Sequence, residues 1–153
     1  MRPKSKTVAA DGSRANGKRR PVRRSPTPQY LFVYGTLKRG GKSHKQLRKD
    51  DGVRFRSSGR IRADLYRLQD EDYPGAVLTS TPNRFVQGDL FVLRDPQRTL
   101  RDLDEFEEVD EGLFRRELVD VWSQGRRVKA WAYLYARPLA AAEMIPTGIY
   151  SSH

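Results

Sequence analysis

The chain has 153 residues, enough for one domain with its own core, and no apolar run approaches the roughly 18 residues that span a bilayer. It has no cysteine and only two histidines, His44 and His153, which excludes disulfide frameworks and thiolate chemistry and argues against a multi-histidine metal site or a Ser-His-Asp triad. The net charge of +11 is uneven: residues 1–29 hold nine basic residues against one acidic, or +8, and the remainder carries +3.

Residues 1–29 show no apolar periodicity and include Pro3, Pro21, Pro26 and Pro28. Such a segment buries too little surface to offset its ordering entropy, so a disordered basic tail is expected, followed by one domain over 30–153. A solvated extension is the preferred reading; an organellar transit peptide and a nucleic-acid arm stay open. Arg19-Arg20 and Arg23-Arg24 are twin arginines, but the apolar stretch after them, Tyr30–Tyr34, is too short for a secretory signal, and a cytoplasmic protein is expected.

Tyr30–Tyr34 is apolar on both faces and predicts a central strand buried on both sides. The loop Gly35-Thr36-Leu37-Lys38-Arg39-Gly40-Gly41 follows, then a short helix capped by Ser43 and running to about Arg48. Val53, Phe55, Ile61, Ala63 and Leu65 alternate with arginines, predicting a long bent strand or hairpin broken at Ser57-Ser58-Gly59. The Arg54/Arg56 and Arg60/Arg62 pairs fall on its polar side, as solvated residues that could steer an anion. Tyr73-Pro74-Gly75 is a turn into Ala76–Leu78, and Val86–Leu93 is a further strand with a bulge or close approach at Gly88.

Asp95-Pro96 opens a helix expected to reach about Glu108. Arg115–Trp122 and Val128–Ala136 alternate as two strands joined at Gln124-Gly125. Trp122, Trp131, Tyr133 and Tyr135 sit at strand spacing, as core and cross-strand residues rather than a base-stacking platform. Strands with one inserted helix predict an α+β fold, a twisted sheet or small barrel with helices against it.

That helix carries a misplaced carboxylate. At about 100° per residue, Glu107 falls between Leu100 and Leu103 on the packing face, whereas Arg98, Arg101, Asp102, Glu105 and Glu108 point away. Two readings stay open: a structural partner of some strand arginine, or an acid on a pocket floor with its pKa raised by desolvation.

Tyr34-Gly35-Thr36-Leu37-Lys38-Arg39-Gly40 after an apolar strand resembles the Y-G-T-L-(K/R)-x-G signature of the γ-glutamylcyclotransferase-like superfamily, AIG2-like branch, which includes γ-glutamylaminecyclotransferase. Leu103-Asp104-Glu105-Phe106-Glu107 with Phe114-Arg115-Arg116 resembles its L-D-x-(F/Y)-E…Y-x-R segment. Tyr73-Pro74, Val86-Gln87-Gly88 and Ile145-Pro146-Thr147-Gly148 are smaller matches, and the resemblance spans about residues 30–150.

The resemblance implies a small mixed β-barrel with flanking helices. It implies that the Tyr34–Leu37 loop (Tyr34, Gly35, Thr36, Leu37) gives backbone N–H groups to a γ-glutamyl substrate and its oxyanion, with Gly35 supplying a conformation a Cβ would resist. Glu107 aligns with the catalytic glutamate, and Tyr73, Phe114 and Arg116 fall at substrate-binding positions. The implied reaction is metal-independent and needs no cofactor: the substrate's α-amine attacks its own γ-carbonyl and releases 5-oxoproline and an amine.

Two departures stand out. Glu108 replaces a frequent glycine, and Phe114 replaces a tyrosine whose hydroxyl Tyr34, Tyr73, Tyr133 or Tyr135 would have to supply. His44 is expected to make a local hydrogen bond near the loop. The expected partner is a small γ-glutamyl molecule; nucleic-acid binding through the tail is not favoured, and no membrane contact is expected. The alternative is a non-catalytic ligand- or nucleic-acid-binding module on the same fold.

Overall fold

A computed structural model describes residues 29–151. Apart from Gln29, which opens the first strand, the expected basic tail lies outside the described residues. The elements are β1 (Gln29–Val33), α1 (Lys45–Arg48), β2 (Val53–Arg67), β3 (Pro74–Leu78), β4 (Phe85–Leu93), α2 (Pro96–Phe106), β5 (Phe114–Ser123), β6 (Arg126–Tyr135) and β7 (Glu143–Met144).

Five strands close a barrel in the order β2-β4-β1-β6-β5, and β5 returns to β2 at Arg60↔Trp122. β1 and β6 run parallel through Leu31↔Trp131, and the other pairs are antiparallel. β3 and β7 both pair with the second half of β2. The expected small mixed barrel with few helices is the architecture found.

The doubly buried character of Tyr30–Tyr34 has a direct cause. Phe32 faces the barrel interior with Ile61, Val86, Leu90 and Val121. Leu31 and Val33 face the opposite layer with Leu47, Phe91, Leu100 and Leu103, where the helices cover the wall. Alternate side chains of one strand thus enter two cores.

β2 is one unbroken strand, and its irregularity falls between Phe55 and Ser57 rather than at Ser57-Ser58-Gly59. The extra residue at Arg56 flips the inside-outside alternation, so Phe55 is exposed and Ser57 buried. Ser57 and Gly59 are small because β5 closes the barrel against them. Ser57 Oγ lies 2.6 Å from Ser123 Oγ, and a Cβ on Gly59 would come within 2.8 Å of Val121 Cγ1. Gly88 is likewise a close approach rather than a bulge: it stays in register with Gly59, and a Cβ would meet the Val33 carbonyl oxygen at 2.2 Å.

α1 starts one residue later than expected. Its N-cap is His44, and Ser43 contributes its carbonyl oxygen to the Gln46 N–H at 2.9 Å rather than a side-chain cap. α2 begins at the expected Asp95-Pro96 cap, and Asp95 accepts from the Arg98 N–H. Asp50 tethers this end, accepting from Thr99 Oγ1 at 2.6 Å and from the Gly52 N–H at 2.8 Å. Gln124 and Gly125 both have positive φ, 53° and 75°, the geometry of a tight two-residue hairpin turn.

Candidate active site

A cavity of about 280 Å³ opens where the end of β1, the end of α2 and the starts of β3 and β5 meet. Tyr34, Gly35, Thr36, Leu37, Tyr73, Glu107 and Phe114 all line it. Tyr34, Tyr73 and Phe114, 39 and 41 positions apart in sequence, meet there because β1, β3 and β5 deliver them to one end of the barrel.

The loop after β1 is held from three sides. Asp89, buried on β4, accepts from the Arg39 backbone N–H at 2.9 Å and from the Arg39 side chain at 3.2 Å. Thr36 O accepts from the Ser43 N–H at 2.9 Å, and Gly35 O from the Lys38 N–H at 3.1 Å. His44 Nδ1 donates to Leu37 O at 2.9 Å, the local bond expected of it. These bonds consume the carbonyls of Gly35, Thr36 and Leu37. Among the described residues the three N–H groups have no acceptor. All three residues line the cavity, so their N–H groups are available to an oxyanion or carboxylate there.

Gly35 is needed for a different reason than expected. Its φ is not positive, so no forbidden conformation is involved. A Cβ there would sit 2.9 Å from Pro74 Cδ, so the glycine lets the loop pack on β3.

Glu107 is the C-cap of α2, its N–H donating to Leu103 O at 2.8 Å. Its carboxyl makes no hydrogen bond or ion pair among the described residues, so the arginine-paired alternative finds no partner there. Burial foremost, and then the charge of Glu108, push the Glu107 carboxyl up to about 7. The negative end of the α2 dipole acts in the same direction.

Glu108 adopts φ 54°, the left-handed conformation that closes many helices and that glycine occupies without penalty. Relief of that strain outweighs the added chain entropy of glycine. Glu108→Gly is therefore expected to raise stability by about 0.5–1 kcal/mol in urea unfolding, net of these two effects. It also lowers the Glu107 pKa, moving the ascending limb of any activity–pH profile to lower pH.

The tyrosines divide by role. Tyr34 OH donates to Tyr133 O at 2.6 Å and accepts from the Ala76 N–H at 3.1 Å, tying β1 to β6 and β3. Tyr133 OH donates to Asp104 Oδ1 at 2.7 Å. Burial raises both phenols far above the ordinary range, so they stay protonated. Tyr73, beside Phe114 at 6.0 Å between ring centroids, is pushed up to about 12, chiefly by burial. Lys42 and Asp72 form an ion pair on the cavity lining.

Arg116 does not join this group. It lies outside the cavity lining and holds Asp104 bidentately, Nε to Oδ1 at 2.7 Å and Nη2 to Oδ2 at 3.1 Å, over the Trp131 ring at 4.5 Å. The placement does not bring it to the cavity with the other expected substrate-binding residues; it holds the carboxylate that Tyr133 also bonds. Arg116→Ala is expected to cost about 1–2 kcal/mol in thermal or urea unfolding, the scale of a charged hydrogen-bonded pair near the surface, with substrate KM changed less than threefold.

The family model described as gamma-glutamyl cyclotransferase, AIG2-like, matches residues 31–152. The chain belongs to this family. No curated protein matches the chain significantly. The structure is similar to an AIG2-like protein from Mus musculus, 24% identical, with 81% of this chain and 88% of that one covered and a TM-score of 0.68. It is also similar to the protein ytfP from Escherichia coli, 27% identical over 80% and 96% of the two chains, TM-score 0.56. A structure titled gamma-glutamyl cyclotransferase is 18% identical over 77% and 70%, TM-score 0.57. Membership in the gamma-glutamyl cyclotransferase, AIG2-like family agrees with the barrel and with the order of the two motifs along the chain.

Sequence patterns alone do not point to a role for Asp89, Lys42 or Asp72. Asp89 had a visible signal, an acid inside the apolar run Val86–Leu93; Lys42 and Asp72 had none.

Proposed function

We propose that this protein is a γ-glutamyl cyclotransferase that converts an L-γ-glutamyl amide into 5-oxoproline and a free amine. The observation that carries this reading is Glu107: a carboxyl without a partner among the described residues, raised to about 7, on the wall lined also by Gly35, Thr36 and Leu37, whose N–H groups have no acceptor among those residues.

The substrate brings its own nucleophile, but as an ammonium, which must lose a proton before nitrogen can attack. Ionised Glu107 takes that proton. The α-nitrogen then bonds to the γ-carbonyl carbon, and the oxyanion that forms is held by the N–H groups of Gly35, Thr36 and Leu37. Collapse of the intermediate breaks the bond to the leaving nitrogen, to which Glu107 gives its proton; the second proton left on the ring nitrogen is then taken by Glu107 and passed to the departing amine, which is released as its ammonium. A carboxyl with a pKa near neutrality can perform these transfers in one turnover. Tyr73 and Phe114 are assigned to the walls around the glutamyl chain.

The test is 5-oxoproline release from γ-glutamyl-ε-lysine, γ-glutamyl-alanine and glutathione. Release from one of them, unchanged by a chelator, is expected, since every proton transfer is assigned to side chains. A folded native protein that releases nothing from any of them overturns the reading.

A further inference from the structure

The outer wall of the barrel carries a second organised surface. Strand register aligns Gln87, Arg60, Trp122 and Arg127 in one row across β4, β2, β5 and β6. Arg62 and Phe85 form the next row. Directly opposite residues share a face. Ile61, Val86 and Val121, which alternate with them, are completely buried, so this row faces outward.

All three arginines are exposed, and two of them, Arg60 and Arg62, stand over aromatic rings. Phe85 and Trp122 meet edge to face at 6.1 Å. The Arg60 guanidinium carbon stands 4.1 Å from the Phe85 centroid, and that of Arg62 stands 5.5 Å from the Trp122 centroid. A guanidinium held over a ring keeps its in-plane N–H donors for another partner and gives up less freedom on binding. Arg60, Arg62 and Arg127 pair with no carboxylate among the described residues. The neighbouring acids, Asp64 and Asp120, already pair with Arg84 and Lys129.

The spacing argues for a chain of charges rather than a single anion. Arg60 and Arg62 are two residues apart on one strand, about 7 Å, and Arg60 and Arg127 are two strands apart, about 10 Å. The row from Gln87 to Arg127 crosses four strands, about 14 Å, so its donors are laid out along a line that successive phosphates of one chain can follow. The rings are half-buried among guanidiniums rather than protruding, which suits a nucleic acid strand better than insertion into lipid.

We propose that this face binds single-stranded nucleic acid, with Arg60, Arg62 and Arg127 on successive phosphates and Trp122 meeting a base or sugar. The surface is separate from the cavity: Phe114 and Trp122 lie eight residues apart on β5, about 27 Å of strand. The proposal therefore stands apart from the cyclotransferase reading.

The test uses the full chain and a fluorescein-labelled 20-nucleotide oligothymidylate, with anisotropy followed across 50–200 mM salt. Arg60→Ser/Arg62→Ser/Arg127→Ser is expected to bind at least tenfold more weakly. Its slope of log affinity against log salt should be shallower by about 2, the contribution of three phosphate contacts on a single strand. Removing the same charge elsewhere, as Arg67→Ser/Arg94→Ser/Arg101→Ser, is expected to change affinity less than threefold. In a Trp131→Phe protein, Trp122 is the sole tryptophan, and its emission should fall with the same midpoint. Equal weakening by the two triple variants, or unchanged Trp122 emission, overturns the proposal, because binding then follows total charge. It is equally overturned by binding to vesicles containing 30% phosphatidylserine without binding to the oligonucleotide, or by binding to neither.

Discussion

Glu107→Gln is expected to fold as the native protein does and to release 5-oxoproline at least 100-fold more slowly, within the ~10²–10⁴ range of general acid–base catalysis. Glutamine keeps the volume and polarity of the side chain but can neither accept the ammonium proton nor return one to the leaving amine. Two readouts separate this from structural damage. The first is the native pH profile: kcat/KM should rise with pH through about 7 as Glu107 ionises, and the variant should lose that limb.

The second readout is stability, and its sign is opposite to that of a salt-bridged acid. Glu107 ionises near 4.5 when unfolded and near 7 when folded, so the unfolded chain holds fewer protons between those values. Its contribution to stability is fully present below about pH 4.5 and is lost as pH rises through 7. The difference at pH 8 is on the order of 3 kcal/mol. Glu107→Gln should accordingly match the native protein near pH 4 and exceed it in Tm at pH 8. A variant less stable than native at pH 8 would show that the carboxylate has a favourable partner, and the base assignment would fail.

The other large effect is expected at Gly41, which carries no chemistry of its own. A Cβ at Gly41 would lie 2.2 Å from Thr36 O, 2.7 Å from Thr36 C and 3.0 Å from Lys38 O. All three are backbone atoms, so no side chain can move aside. Gly41→Ala must displace the segment that carries the free N–H groups and weaken the Ser43 to Thr36 hydrogen bond. A displacement of about 1 Å near reacting atoms can cost a factor of about 100. Activity should therefore fall about 100-fold, while the barrel strands keep their amide-exchange protection. Gly40→Ala is the matched control for handling, since its Cβ would meet nothing within 4 Å and only its φ of 83° is strained. Equal activity in native and Gly41→Ala proteins would remove the loop from the catalytic scheme.

Much of this arrangement was legible from the sequence because local rules and tertiary structure agree. Asp95-Pro96 starts α2, and Gln124-Gly125 turns the β5–β6 hairpin, as caps and turn residues alone would place them. The placement of Glu107 needed only helical geometry and the positions of Leu100 and Leu103. The misreadings share a cause, which is contact between segments remote in sequence. Gly59 reads as a strand breaker until Val121 is known to press against it. Gly35 reads as a conformational glycine until Pro74 arrives beside it. Arg116 reads as a pocket residue, but the bidentate hold on Asp104 turns it elsewhere. The pairing of Lys42 with Asp72 depends on two loops brought together by β1 and β3, and no spacing in the chain announces it.

The parallel pairing of β1 with β6 joins Leu31 to Trp131, a strand made first and one made about 100 residues later, and the Tyr34–Tyr133 hydrogen bond spans 99 residues. At translation rates of about 5–20 residues per second, the first strand waits roughly 5–20 s on the ribosome for its partner. Through that interval the β6-facing edge of β1 is an open template, and β4 can cover only the other side. The cavity wall that follows β1 meets Phe114 and Tyr133 only after the barrel closes. The cavity is therefore assembled only once β6 has been made, and a nascent chain stalled before β6 is exposed to strand capture by its neighbours.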